Sequence, residues 1–190
     1  MSGKITHELR YANKLHHGMA LSPRAALEAF GPTVPVRIGV HPAMAKKLQA
    51  EGKPVPPAIA GDAMIDTGAQ VTTIDMTIAE RLQLPRTGKT IVAGIGGLSE
   101  GYTSPISVTF PGLNNMTFHS SGAHCHDLIK NAKHIIALIG RDLLKGMTFF
   151  FDGVEGEARL AYILPPGAVV KKGSAFAQQR PKEKRNKRNR

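Results

Sequence analysis

The most informative stretch of the chain is Ala63-Met64-Ile65-Asp66-Thr67-Gly68-Ala69, which Val71-Thr72-Thr73-Ile74 follows. The apolar start and the β-branched end predict two short strands with a tight turn between them. A carboxylate on such a turn is presented by a rigid element, as catalysis requires. Gly68 permits unusual dihedral angles beside Asp66, and the Thr67 hydroxyl can hold the turn. An ordinary turn between two strands would use the same residue types, so the tripeptide alone leaves both interpretations open.

Outward from this turn, the chain alternates between short strands and short helices. The alternating apolar residues of 34–40 predict a half-buried strand, with Pro35 near an edge of its sheet. Capping and stop signals predict four helices, at 23–30, 43–51, 76–82 and 141–145. Further strands are expected at 63–65, 71–74, 90–92, 106–110, 116–118, 134–139, 148–152 and 159–163, with a glycine-rich hairpin tip at 93–98.

Length and composition favour one mainly β domain. The chain has 190 residues, enough for a single core of about 150 residues but too few for a two-lobed enzyme. It has 20 Gly, 13 Pro and only 5% aromatic residues, which indicates many turns and an aliphatic core. No apolar run reaches the roughly 20 residues of a membrane span, and no export signal is evident. Together with the lone Cys125, this predicts a cytoplasmic location.

The net charge of +11 is concentrated at the carboxyl end. Residues 171–190 contain nine basic residues and one acidic residue, a net charge of +8, which leaves +3 for residues 1–170. Such a polar, self-repelling segment is not expected to fold. We therefore divide the chain into an N-terminal arm with a short helix (1–32, of which 1–21 is loosely held), a folded domain (33–164) and a basic disordered tail (165–190).

Three segments of the folded domain resemble the retropepsins, the retroviral-type aspartic proteases and their bacterial relatives. Residues 63–69 resemble the catalytic turn of that family. The segment Leu138-Ile139-Gly140-Arg141-Asp142-Leu143-Leu144 resembles its second motif, and residues 90–102 resemble its glycine-rich flap. The order and approximate spacing also match. The resemblance covers about residues 33–164 and implies a closed β-barrel of the acid protease fold, functional as a homodimer.

The implied activity is that of an aspartic endopeptidase, which needs two carboxylates. Two such groups about 3 Å apart share one proton, so that one activates water as a base while the other donates to the scissile carbonyl. Asp-Thr-Gly occurs once in this chain. The resemblance therefore implies that two subunits each contribute Asp66 across a two-fold axis.

The resemblance also implies supporting roles for other residues. Thr67 would hydrogen-bond across the dimer axis, Gly68 would bind the backbone of a peptide substrate, and Ala69 would complete the turn. The flap residues would close over that backbone; they are Ala93, Gly94, Ile95, Gly96 and Gly97. The second motif, Leu138, Ile139, Gly140 and Arg141, would be structural. No cofactor or metal is expected.

Two departures from the family pattern concern the dimer. Gln70 stands where retroviral members usually have an acidic residue, so the usual ion pair with Arg141 cannot form. The helix at 43–51 is an insertion, and no terminal strands that knit a dimer are evident. A dimer interface unlike that of the viral enzymes is compatible with both departures.

Other signals leave alternative functions open. Five residues cluster within sixteen positions and could suggest zinc, but their spacing is poor and an exposed polar loop is the expected structure; they are His119, His124, Cys125, His126 and His134. The basic residues of 171–190 could contact nucleic acid or an anionic surface through phosphate neutralisation, yet they lack aromatic partners for base stacking. The alternatives are an inactive retropepsin-like module that dimerises and binds peptides, and a nucleic-acid-associated protein.

Overall fold

A computed structural model describes residues 4–9, 15–16, 19–94, 97–128 and 135–163. The described strands are β1 (Lys4–Leu9), β2 (Leu15–His16), β3 (Met19–Ala20), β4 (Thr33–Val40), β5 (Ile59–Ile65), β6 (Thr73–Asp75), β7 (Gly88–Gly94), β8 (Gly97–Phe110), β9 (Met116–His126), β10 (Ala137–Ile139), β11 (Met147–Asp152) and β12 (Glu157–Ile163). The described helices are α1 (Pro23–Phe30), α2 (Pro42–Ala50), α3 (Met76–Arg81) and α4 (Arg141–Leu144), with a 3₁₀ turn at Pro111–Leu113.

Six strands close into a barrel. Their order is β4, β5, β10, β6, β9 and β8, and β4 also pairs with β8, which closes the ring. β4 can serve both neighbours because its first part, residues 33–38, pairs with β5 while residues 37–40 pair with β8. Pro35 has no N–H to donate, and it lies in the part of β4 that pairs only with β5. Within the described strands, the other side of β4 is unpaired at this residue, in agreement with the prediction that Pro35 lies near a sheet edge. The predicted fold class, mainly β with a closed barrel and short helices, is confirmed.

The barrel is filled by aliphatic side chains, as the composition predicted. The largest fully buried side chains include Phe110, Ile38, Ile74, Ile106 and Ile139. α1 covers the core with Ala26 and Leu27, and its capping follows the sequence signals: Ser22 accepts from the N–H of Ala25. α3 is likewise capped by Asp75, whose carboxylate accepts from the N–H of Thr77. These caps fix where each short helix begins.

The expectation of a loosely held arm at 1–21 is wrong for residues 4–9. They form β1, which pairs antiparallel with β12, and β12 pairs in turn with β11 in a three-stranded sheet. The ring of His7 packs on Gly112, where a side chain would collide with it. Residues 4–9 are ordered by this long-range pairing, which local sequence patterns do not reveal.

The expectation of an exposed polar loop around the histidines is also wrong. His119, His124, Cys125 and His126 lie on β9, with Cys125 and His126 buried. The strand persists because β8 pairs with it on one side and β6 on the other. His134 and the basic tail, 165–190, lie outside the described residues. Among the helices that the structure describes, none is long and apolar enough to cross a membrane.

Candidate active site

The Asp66 carboxylate stands at the end of β5, inside the turn that the sequence singled out. The N–H of Asp66 donates to the carbonyl oxygen of Ile139 (3.0 Å), so the turn begins as a continuation of the ladder between β5 and β10. Asp66 Oδ1 accepts from the N–H groups of Gly68 (2.9 Å) and Ala69 (3.1 Å). One carboxylate oxygen, Oδ1, is thus held by two backbone donors of the turn.

Arg141 holds the same turn through hydrogen bonds to its carbonyl oxygens. Its Nη1 atom donates to the carbonyl oxygens of Thr67 (2.8 Å) and Gly68 (2.9 Å). Its backbone N–H donates to the carbonyl oxygen of Ala69 (3.0 Å). Arg141 therefore contacts this turn through hydrogen bonds to its backbone, an arrangement that does not require the acidic residue that Gln70 replaces.

A buried network ties the second motif to the residues after the turn. Asp142 Oδ1 accepts from the N–H (2.8 Å) and the hydroxyl (2.7 Å) of Thr72, and the Thr72 hydroxyl oxygen accepts from the N–H of Gly140 (3.1 Å). Asp142 Oδ2 accepts from the hydroxyl of Ser120 (3.3 Å). At Gly140, a Cβ would lie 2.6 Å from the carbonyl carbon of Val71, so only glycine allows this close approach.

Strand register places a row of side chains on the same face of the barrel wall as Asp66. Met64 pairs with Leu138, Leu138 with Thr73, and Thr73 with His124. Registered neighbours in a sheet point to the same side. Asp66 is two residues beyond Met64 and continues the ladder, so its carboxylate falls on that side too. We call this surface the cleft face; its members are Met64, Leu138, Thr73, His124 and His126.

The opposite face of the same strands is the barrel core. Ala63, Ala137, Ile74 and Cys125 lie there in register and are completely buried. Burial raises the pKa of the Cys125 thiol to about 12, so the thiol remains protonated. Cys125 therefore lies on the opposite face of the sheet from the Asp66 carboxylate.

The β7–β8 hairpin extends the wall beyond the barrel. Its strands pair from Gly88 with Thr103 as far as Gly94 with Gly97. The backbone of Ala93, Gly94 and Gly97 therefore lies at the predicted hairpin tip, whereas Ile95 and Gly96 lie outside the described residues.

A pocket of about 510 Å³ lies at the base of this hairpin, on the side of Lys89, Glu100 and Tyr102. The Arg86 guanidinium stands 4.6 Å from the centre of the Tyr102 ring and also lines it. Asp66 is not among its lining residues. Tyr102, which lines the pocket, is in register with the core residue Cys125, so its side chain points to the core side of the sheet. The pocket therefore lies on the opposite side of the hairpin from the cleft face.

The structure brings together the predicted turn and the predicted second motif. Asp66, Thr67, Gly68 and Ala69 all contact Ile139 or Arg141 through hydrogen bonds. Sequence reasoning missed two features: the network of Thr72 with Asp142, and the contact between His126 and Ser99 described below. The only sequence signal for the Thr72–Asp142 network was that Asp142 belongs to the second motif.

Residues 42–142 match the family described as aspartyl protease. This segment is more than half of the chain and contains both the Asp66 turn and Arg141. The chain belongs to the aspartyl protease family. The match confirms the family to which the motifs pointed, and the closed barrel is the fold that the retropepsin resemblance implied.

Two solved structures are similar to this aspartyl protease family member. EIAV protease, in complex with the inhibitor HBY-793, has 20% sequence identity and a TM-score of 0.39, covering 60% of this chain and 85% of that one. A retropepsin-like aspartic protease from Rickettsia conorii has 14% identity and a TM-score of 0.41, covering 87% and 95%. No curated protein matches the sequence at a significant level.

Proposed function

We propose that this chain is an aspartic endopeptidase whose active form is a homodimer, with Asp66 of each subunit forming the catalytic pair. The observation that carries the proposal is the hydrogen bonding of Asp66 in the turn. One oxygen is fixed by two backbone N–H groups, and the turn itself is held by Arg141. The two N–H bonds also occur in an ordinary turn, so the distinguishing support is Arg141, whose bonds to the turn backbone hold the carboxylate on a rigid element.

In the proposed reaction, the two carboxylates share one proton. The ionised carboxylate takes a proton from water, the water oxygen attacks the peptide carbonyl carbon, and the protonated partner donates to the carbonyl oxygen. In the tetrahedral intermediate, the carboxyl group that took the water proton gives it to the amide nitrogen while its partner takes a hydroxyl proton. The C–N bond then breaks, which releases the acid and the amine and leaves one proton on the pair.

The single catalytic turn supports the dimer. Asp-Thr-Gly occurs once, so one chain contains half of the required pair. Thr67 and Gly68 are exposed on the single chain. In the proposed dimer, a two-fold axis beside this turn would cover them and bring the two Asp66 side chains together.

The proposed substrate is an extended peptide that lies along the cleft face beneath the β7–β8 hairpin, which would act as the flap. Backbone pairing gives such a complex its affinity, and pockets for alternate side chains give its specificity. Met64, Leu138 and Thr73 would line the pocket nearest Asp66, because they are its neighbours in register.

The test of catalysis is cleavage of a peptide library at several pH values from about pH 4 to about pH 7. Asp66→Asn is expected to abolish cleavage. Asp152→Asn is the matched control, because Asp152 Oδ1 also accepts from two backbone N–H groups, those of Val154 (2.9 Å) and Glu155 (3.1 Å). Unchanged cleavage by Asp66→Asn would remove the catalytic assignment.

The test of the dimer is subunit mixing. When equal amounts of native and Asp66→Asn chains exchange at random, roughly a quarter of the dimers keep both carboxylates. Activity should therefore fall to about a quarter of that of the same total amount of native protein. A fall to only half would indicate that each subunit acts alone, and sedimentation showing a permanent monomer would contradict the proposal. A dimer that binds peptides without cleaving them would support the inactive module instead.

A further inference from the structure

The base of the β7–β8 hairpin pairs with a third strand, β9, whereas the rest of the hairpin consists of β7 and β8 alone. β9 pairs with β8 as far as Cys125 with Tyr102, and β9 ends at the next residue, His126. The pairing of β7 with β8 continues beyond that point to Gly94 and Gly97. His126 thus occupies the boundary between the anchored base of the hairpin and its projecting part, which is held only by its own two strands.

The His126 side chain reaches across this boundary. Its Nδ1 atom and the hydroxyl oxygen of Ser99 form a hydrogen bond of 3.2 Å. Ser99 precedes Tyr102 by three residues and lies closer to the hairpin tip, within the projecting part. In a strand, residues two apart point to the same side, so Ser99 and Gly101 share the side on which the imidazole lies.

Gly101 provides the space for the ring. A Cβ at this position would lie 2.6 Å from Cε1 and 2.7 Å from Nδ1 of His126. The ring therefore lies directly on the Gly101 backbone, and the absence of a side chain there permits the contact with Ser99. The hydrogen bond and the glycine are separate observations that agree on the same packing.

The imidazole is incompletely satisfied in this position. His126 is only 4% exposed, and its Nε2 atom has no hydrogen-bond partner among the described residues. The bond to Ser99 favours this hairpin position, whereas the desolvated Nε2 opposes it. The net restraint that this contact places on the hairpin is therefore modest.

We propose that His126 is a positioning residue for the flap, and that its hydrogen bond to Ser99 restrains the projecting hairpin against the barrel. This proposal rests on the proposed function, in which the hairpin closes over a peptide. The restraint lowers the conformational entropy that the hairpin must lose when it binds an extended substrate. His126 acts through Ser99 and takes no part in proton transfer.

The first test needs no substrate. Hydrogen exchange of the backbone amides of 97–101 is compared for the native protein, Ser99→Ala and Ser99→Thr. Removing one hydrogen bond should speed exchange by roughly threefold to tenfold in Ser99→Ala, whereas Ser99→Thr keeps the hydroxyl and should exchange as the native protein does. Because Ser99 is exposed, the substitution leaves the core intact. Identical exchange in all three proteins would overturn the proposal.

The second test separates restraint of the hairpin from restraint of the fold. His126→Phe keeps the ring and removes the bond, so its effect on hairpin exchange should equal that of Ser99→Ala, and the double variant should add nothing further. Additive effects would show that the two residues act independently and would refute the proposal. Exchange in β9 reports any loss of the fold, since a merely structural His126 would accelerate exchange there as well.

The kinetic consequence is a rise in KM. With a cleavable peptide, Ser99→Ala should raise KM roughly threefold to tenfold with kcat within about twofold, and Ser99→Thr should restore KM. A native KM in Ser99→Ala would contradict positioning of the flap. If no peptide is cleaved by the native protein, the proposed function fails, and the exchange measurements still decide whether His126 restrains the hairpin.

Discussion

Arg141 Nη1 donates to the carbonyl oxygen of Thr67 over 2.8 Å, although the two residues are 74 positions apart in the chain. The same atom donates to Gly68, so one guanidinium nitrogen spans two successive peptide groups of the turn. Arg141→Met should lower the free energy of unfolding by about 1 kcal/mol, because these charged hydrogen bonds are solvent-accessible, and should reduce cleavage at least tenfold. Arg159→Met, which removes an exposed ion pair with Glu157, is the control and should leave cleavage unchanged. Denaturant unfolding and peptide cleavage measure the two effects, and native cleavage by Arg141→Met would contradict this role.

Two neighbouring threonines should respond very differently to removal of the hydroxyl. Thr72→Val takes a donor from Asp142 and an acceptor from the Gly140 N–H in a fully buried site. We expect a loss of about 2–4 kcal/mol of unfolding free energy. The Thr73 hydroxyl makes only a 3.5 Å contact with the Val71 carbonyl oxygen, so Thr73→Val should cost less than about 1 kcal/mol. Equal losses in urea unfolding would show that the Asp142 network does not stabilise the fold.

Two strand glycines provide a matched pair of alanine substitutions. Gly101→Ala places a methyl group against His126 and the Cys125 carbonyl oxygen, whereas a Cβ at Gly122 meets nothing within 4 Å. Gly101→Ala should therefore lower stability by about 1–3 kcal/mol through overpacking and displace the imidazole from Ser99. Gly122→Ala should be neutral or slightly stabilising. Thermal unfolding compares the two, and the expectation fails if both variants behave alike.

Cys125 is the single cysteine of the chain and reports directly on unfolding. Its thiol is buried, and burial raises its pKa to about 12, so the reactive thiolate is almost absent near neutral pH. An aromatic disulfide reagent should label native protein at least about a hundredfold more slowly than protein in guanidinium. Rapid labelling of the native protein at pH 8 would place Cys125 outside the core.

The stability of the fold should decline on the acidic side of neutrality in part because of His126. Burial lowers its pKa below the ordinary value of 6.5, and the neighbouring His124 acts in the same direction, while Asp127 opposes both. The unfolded chain then binds the proton more readily, so the contribution of neutral His126 is complete above pH 6.5 and is lost as the pH falls toward its folded value.

The comparison that isolates this contribution is His126→Gln against the native protein. His7 and His119 also have lowered pKa values through burial, and they remain in both proteins. The free energy of unfolding should therefore fall less steeply between about pH 7 and pH 5 in His126→Gln. Parallel curves from denaturant unfolding would show that the buried imidazole does not contribute to the pH dependence.

The elements nearest Asp66 could be predicted because their signals are local. Apolar alternation marked β4, capping residues marked α1 and α3, and the apolar run before Gly140 marked β10. The turn and second motif were predicted to belong together only through the resemblance, which the family match confirms. The homodimer, the catalytic role of Asp66 and the division into 1–32, 33–164 and 165–190 stay predictions.

What could not be predicted depends on pairing between distant segments. β1 has no local period that distinguishes it from a loop, and β12 orders it. The polar residues of β9 suggested a loop, but ladders on both sides keep them extended. His126 and Ser99 are 27 positions apart, and their contact follows from the register of β8 and β9, which no spacing rule specifies.

Because β4 closes the barrel by pairing with both β5 and β8, the β7 strand is an appendage to a ring that is complete without it. Residues 88–94 can therefore be exchanged, lengthened or recombined without breaking the strand pairs that close the barrel. Evolution and protein engineering can vary this appendage almost independently of folding, much as binding loops vary on an antibody framework.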